Sequence, residues 1–169
     1  LAKSLALMLS PILCFTADEV WEELMHDSDD CTLYHTFHVA PEITNASVIS
    51  DRWDKISDFR KLVLKELENH RSQGNIGSSL QAELVITADK ELYANLSHLG
   101  QDLKFAYMVS KVTLNCGDAV MVEVVPSKDV KCERCWHYSS SVGADASHAT
   151  ICERCIENVI GNGESRTFA

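Results

Sequence analysis

Apolar residues in the first 26 positions fall near helical spacing. Leu5, Leu9, Ile12 and Leu13 form one run, interrupted by Pro11, and Val20, Trp21 and Leu24 form a second stripe beside Glu22 and Glu23. In "TADE", Thr16 stands three residues before Glu19, a spacing that predicts a capping box opening the second helix, which "HDSDD" closes. Residues 27–52 hold no sustained period. Pro41, Asn45 and scattered Ser and Asp predict a long connector there, with a short extended piece at Leu33–Val39. His35 and His38 lie in it without a thiol or carboxylate at helpful spacing and read as loop histidines.

"WDKISDFRKLVLKELENHRSQG" is the clearest helix: Ile56, Phe59, Leu62, Val63 and Leu67 trace an apolar face, and Gly74 and Gly77 mark its exit. Its basic side, Lys55, Arg60, Lys61, Lys65 and Arg71, reads either as a solvated face with Lys–Glu pairs or as an RNA-backbone contact. "GNIGSS" lacks the glycines and the lysine of a phosphate loop and predicts a helix-to-strand turn. The period then changes. "LQAELVITA" alternates as a strand, and "DKELYANLSHLG" is a short helix capped by Asp89. "FAYMVSKVTL" and "AVMVEVV" predict a hairpin around "NCGD", whose Cys-Gly-Asp is turn chemistry.

These patterns predict an α+β chain in three parts. Residues 1–52 are the remnant of a helical bundle plus a connector, 53–126 a small α+β unit, and 127–169 a cysteine-bearing module. Net charge is -10, which argues against nucleic acid until its distribution is considered. Residues 1–52 carry nine acidic and two basic side chains, residues 53–125 ten and eight, and residues 126–169 six and five. A phosphate-binding face in the last two thirds is therefore compatible with the acidic total. "LALMLSPILCF" is too short for a membrane span and lacks the charged flank of a signal peptide, so it reads as a buried helix. The first residues already look mid-helix, which predicts a piece of something longer.

Seven cysteines, three of them single (Cys14, Cys31, Cys116), fit a reducing compartment better than a disulfide scaffold. The other four repeat one tetrapeptide, Cys-Glu-Arg-Cys, at Cys132–Cys135 and Cys152–Cys155. C-x2-C-x16-C-x2-C is the spacing of a structural zinc site: two knuckles turn four thiolates onto one tetrahedral ion. A redox pair would need a single C-x-x-C on a βαβ scaffold, and catalytic zinc would need an open position. His137 and His148 could serve as ligands only by displacing a well-placed cysteine. The module has few large apolar groups, mainly Val130, Trp136, Ile151, Ile156, Val159, Ile160 and Phe168, so the metal would replace a core. Lys131, Arg134 and Arg154 can offset the charge of the cage. Arg134 with Trp136 also offers a planar donor and a stacking platform for single-stranded RNA, and both readings stand.

"KCERCWHY" and "ICERCIENVIGNGESRTFA", through C-x-R-C-W-H, the second C-x-R-C and the closing G-x-G-x-x-R-x-F-A, resemble the C-terminal zinc module of bacterial isoleucyl-tRNA synthetases. "LSPILCFTADEVWEEL" resembles the L-x-P-x-x-x-F-T-A-D-E-x-W stretch of their anticodon-binding helical domain, and "IGSSLQAEL" is similar to the junction that follows. The resemblance implies the tail of a larger cytoplasmic class I ligase that activates isoleucine with ATP and joins it to its tRNA. Catalytic and editing domains would lie upstream in the same chain. Neither a His-Ile-Gly-His nor a Lys-Met-Ser-Lys-Ser signature occurs, so this part is implied to be non-catalytic and to bind the anticodon stem-loop of isoleucine tRNA. Cys132, Cys135, Cys152 and Cys155 match the family's ligands for one structural Zn²⁺. Arg134 and Trp136 match the residues that meet the anticodon, and Arg154 is left to balance charge. Gly74-Asn75 stands where a lysine often precedes the Ile-Gly, which weakens a phosphate contact at that turn. Two other classes compete: the zinc-finger tail of a DNA-repair glycosylase, which has the same sixteen-residue gap but needs a basic helical domain, and a zinc-ribbon protein-interaction module.

Overall fold

A computed structural model describes residues 1–39 and 41–164; Arg166 and Phe168 of the closing motif lie outside the described residues. The chain divides into two compact units, Leu1–Asn45 and Ala46–Ala169. The first holds α1 (Ala2–Leu9) and α2 (Cys14–Met25). They pack through Ala6, Leu7 and Trp21, with Met25 alongside. α2 starts two residues before Thr16, and no side chain caps it; the break after α1, around Pro11, sets the start, so Thr16 sits within the first turn. Much of the "buried" first helix is in fact exposed, Leu5, Met8 and Leu9 included, and Ile12, Leu13 and Phe15 beyond it are exposed as well.

The connector folds back on α2 through polar bonds. Trp21 Nε1 donates to Asp30 Oδ2 at 3.0 Å, His35 Nε2 lies 2.7 Å from Asp30 Oδ1, and Thr32 N donates to Asp18 Oδ1 at 2.9 Å. The hydrogen bond to His35, then that from Trp21, holds the Asp30 carboxyl below its ordinary value. His35 therefore does have a carboxylate partner, and it also packs on Trp21 with ring centroids 4.6 Å apart. The extended piece expected at Leu33–Val39 is instead a 3-10 turn at Thr32–Tyr34 followed by irregular chain. Side-chain ties to α2 fix this segment rather than a partner strand.

The second unit opens with α3 (Ala46–Ser72), which begins before Trp53 and takes in the end of the expected connector. Ile56, Phe59, Val63 and Leu67 are its buried stripe; Leu62 is exposed. The exit is a Schellman motif. Gly74 N–H donates to Arg71 O and Asn75 N–H to His70 O, both at 3.0 Å, with Gly74 at φ 77. After a 3-10 turn come β1 (Ala82–Ala88), α4 (Lys90–Ser97), α5 (Leu103–Tyr107), β2 (Lys111–Cys116) and β3 (Met121–Pro126). Asp89 caps α4 by accepting from Leu92 N at 2.9 Å.

The sheet order is β2-β1-β3, with β2 parallel and β3 antiparallel to β1. The expected β2–β3 hairpin does not form. β1 is the strand whose alternate residues Ala82, Leu84, Ile86 and Ala88 are all fully buried, and central placement lets both neighbours cover it. A parallel partner needs a crossover, which α4 and α5 supply. Hence Phe105–Tyr107, expected to open a strand, is helical. Leu103 and Tyr107 enter the core, and Met108 at φ 57 ends the helix. Gly117 is required by a close approach rather than a hairpin turn: a Cβ there would meet Thr87 Cγ2 at 2.7 Å, while its N–H donates to Ala88 O at 2.9 Å.

Gly74→Ala tests the exit geometry. Nothing lies within 4 Å of the added Cβ, so only backbone strain acts. The expected loss is about 1–2 kcal/mol in urea unfolding with an unchanged slope.

Candidate metal centre and nucleic-acid interface

The two Cys-Glu-Arg-Cys copies form different local structures. The first lies in the loop between β4 (Val130–Lys131) and β5 (Tyr138–Ser139), an antiparallel pair in which Lys131 faces Tyr138. Cys132 N donates to His137 O and Trp136 N to Cys132 O, each at 2.9 Å, closing a tight knuckle. The second copy opens α6 (Glu153–Val159): Cys152 is its N-cap residue and Cys155 lies in its first turn. Glu133 N to Thr150 O (3.1 Å) and Cys152 N to Cys132 Sγ (3.3 Å) tie the copies together.

All four sulfurs lie within 4.8 Å of one another, and the Cys132–Cys155 and Cys135–Cys152 pairs are each 3.7 Å apart. Tetrahedral zinc with bonds of about 2.3 Å requires sulfur–sulfur edges of about 3.8 Å, whereas a disulfide would need about 2.05 Å. The donor set and its spacing are those of one structural zinc ion. Burial opposes ionisation of Cys132, yet backbone N–H groups of Cys135, Cys152 and Arg134 bring its thiol down to about 6. His137 stays outside the cluster, its Nδ1 3.2 Å from Cys135 O, and His148 sits in a 3-10 turn. The interior of the module is made of these cysteines, with Val142 and Ile151 packed beside them. Val130, Val159 and Ile160 are all more than half exposed.

Both arginines answer the cage. Arg134 is exposed, yet its Nη1 donates to Cys155 Sγ at 3.6 Å. Burial holds the Cys155 thiol above its ordinary value, and this N–H pulls the other way. Arg154 pairs with Glu164 at 3.2 Å and lies 5.0 Å from the centroid of the Phe105 ring. Burial acts against its charge, while hydrogen bonding to Cys135 and the charge of Glu164 favour it and raise its pKa overall. Trp136 is 60% exposed and sits at φ 66, a left-handed conformation that bulky residues seldom adopt. Arg134 and Trp136 thus share one knuckle, both open to solvent.

The sequence gives no sign of how this module docks on the sheet. Tyr138 N donates to Ser110 Oγ at 2.6 Å, Ser127 N to Gln81 O at 2.7 Å, and His137 meets Phe105 edge-on at 5.6 Å. These partners lie about 30 or more residues apart in the chain, beyond any local motif. Among the described residues no helix is long and apolar enough to cross a membrane, and no other group of three or more His, Cys, Asp or Glu could hold a metal.

Two family models match the chain. One, the anticodon-binding domain of tRNA ligase, covers residues 1–86; the other, a zinc finger found in FPG and IleRS, covers residues 131–158. The isoleucine–tRNA ligase of Laribacter hongkongensis is 44% identical over 167 residues, 99% of this chain. Those of Chromobacterium violaceum and Neisseria meningitidis are 44% and 42% identical over alignments of 171 positions that cover the whole chain. In each case the chain spans 18% of the relative's length.

Removing the zinc with a strong chelator is expected to release one ion per chain and collapse the amide dispersion of residues 127–164. The β1–β3 sheet should stay folded. A single cooperative loss of both, followed by NMR, would mean that the module and the sheet are one folding unit.

Proposed function

The chain belongs to the family of anticodon-binding domains of tRNA ligases, and we propose on that premise that it is the C-terminal tRNA-binding part of an isoleucine–tRNA ligase. In the whole enzyme, isoleucine would be joined to its tRNA at the expense of ATP by catalytic and editing domains elsewhere in the same polypeptide. This part contributes binding, not chemistry. Support comes from the relatives' names, from the 18% of their length that the chain spans, and from the apolar side chains left exposed on Met8, Ile12 and Phe15. Those side chains suit packing against further helices of the same domain. The cytoplasm, where aminoacylation takes place, is the corresponding location.

Within the chain, Cys132, Cys135, Cys152 and Cys155 hold the zinc, and Arg134 and Trp136 face the anticodon stem-loop. The single observation that carries the RNA reading is Trp136: a large ring, mostly exposed, held in a left-handed backbone beside a metal knuckle. Such a ring can stack on an unstacked base with little entropy to lose. Arg134 spends one N–H on Cys155, and a guanidinium has four more to offer. The zinc-finger match alone does not separate this reading from a DNA-repair glycosylase, since its model is named for both. The anticodon-domain match over residues 1–86, and the acidity of residues 1–52, favour the ligase.

Titration with isoleucine tRNA, an unrelated tRNA and a DNA duplex tests the reading. Preference for isoleucine tRNA is expected, and equal weak binding to all three would overturn it. Trp136→Ala should cost about 1–3 kcal/mol of that binding while the zinc content stays at one per chain. Loss of zinc with unchanged affinity would make Trp136 a packing residue instead.

A further inference from the structure

Trp136 does not offer both faces of its ring. Lys131 Nζ lies 5.4 Å from the ring centroid, inside the range of a cation–π contact. The two residues stand at opposite ends of the first knuckle, and each backbone is fixed separately. Lys131 is held in the β4–β5 ladder opposite Tyr138, and Trp136 is held by its N–H bond to Cys132 O. We propose that Lys131 is a positioning residue for RNA binding: its ammonium covers one face of the Trp136 indole and fixes the ring, leaving the opposite face as the stacking surface for a base. This rests on the tRNA-binding reading given above.

The alternative use of a lysine at this place is a direct phosphate contact, and the two differ in what they predict. A positioning lysine acts only through the ring. Its removal should therefore matter only while Trp136 is present, and it should leave the salt dependence of binding unchanged. A phosphate contact acts without the ring and adds about 0.7–0.9 to the slope of log K against log salt. Arginine can replace lysine in the positioning role, because a guanidinium stacks on an aromatic face.

The test uses the zinc-loaded 169-residue chain and an anticodon stem-loop RNA. Lys131→Gln is expected to weaken binding about two- to fivefold, with no change in the salt slope. Lys131→Arg should bind like the parent chain. In a Trp136→Ala background, Lys131→Gln should have no further effect. A loss that persists without Trp136, accompanied by a lower salt slope, would overturn the proposal in favour of a phosphate contact, and no loss at all would also overturn it. A second readout needs no RNA. In the free chain, Lys131→Gln should shift the Trp136 indole N–H resonance and increase the ring's mobility by NMR relaxation, with one zinc still bound. An unchanged indole would sink the positioning role even if the parent chain failed to bind RNA. That failure by itself would count against the functional reading and not against the contact between the two side chains.

Discussion

Four sulfurs converging on one point hold residues 127–164 in shape. Apolar burial could not do so: the module's own large side chains are mostly at its surface, and its fully enclosed residues are cysteines. A segment of this size has too little interior to offset its conformational entropy. Zinc binding by four thiolates, worth roughly 10–16 kcal/mol in finger peptides, is of the size required. The same ion fixes the first knuckle, whose two 2.9 Å backbone hydrogen bonds keep Trp136 left-handed. Strain of about 1–3 kcal/mol at one residue is tolerable only where the surroundings leave no alternative.

The cage also organises charge. Zinc with four thiolates carries a formal charge of about -2, and the residues around it are arranged to meet that charge. The arginines of the two tetrapeptides divide the task differently from what their identical sequence suggests. Arg134 reaches Cys155, across to the other knuckle, and remains exposed. Arg154 is drawn towards Glu164 and the Phe105 ring, where it joins the module to the helix preceding β2. Charge compensation and RNA contact are therefore not exclusive at Arg134: a sulfur acceptor occupies one N–H of a fork that has several.

What could be read from the sequence was what local rules govern. The cysteine spacing specified a tetrahedral donor set because ligand geometry and knuckle length are both short-range. The Asp89 cap and the Gly74 exit were legible for the same reason: each is a bond between residues three to five apart. The sheet was not legible. Two consecutive apolar strands separated by Cys-Gly-Asp favour a hairpin on local grounds, and only the need to cover both edges of β1 places β2 and β3 on either side of it. Phe105–Tyr107 suits a strand by local preference, since aromatic residues favour one, whereas the crossover demands helix. Thr16 failed as a cap because the break after α1 starts α2 too early for it to serve. The docking of Tyr138 on Ser110 leaves no trace in either segment, since it joins backbone to a hydroxyl 28 residues away.

On the proposed reading an acidic chain binds RNA, and the site suggests how that conflict is resolved. Non-specific affinity for nucleic acid comes mainly from cations that release counterions from phosphates. Near the knuckle those cations are partly engaged, one N–H of Arg134 with a sulfur, Arg154 with a carboxylate and Lys131 with an indole. Acidic residues predominate in residues 1–52, so long-range attraction is weak as well. On the proposed reading, binding by this part is led by stacking on a ring whose orientation is fixed before the RNA arrives. Such an interaction is short-ranged and depends on an unpaired base being presented at the right place. It discriminates a splayed loop from duplex in a way that a basic surface would not. Low charge then favours selectivity, because it suppresses the sequence-independent binding with which a single stacked base would otherwise have to compete.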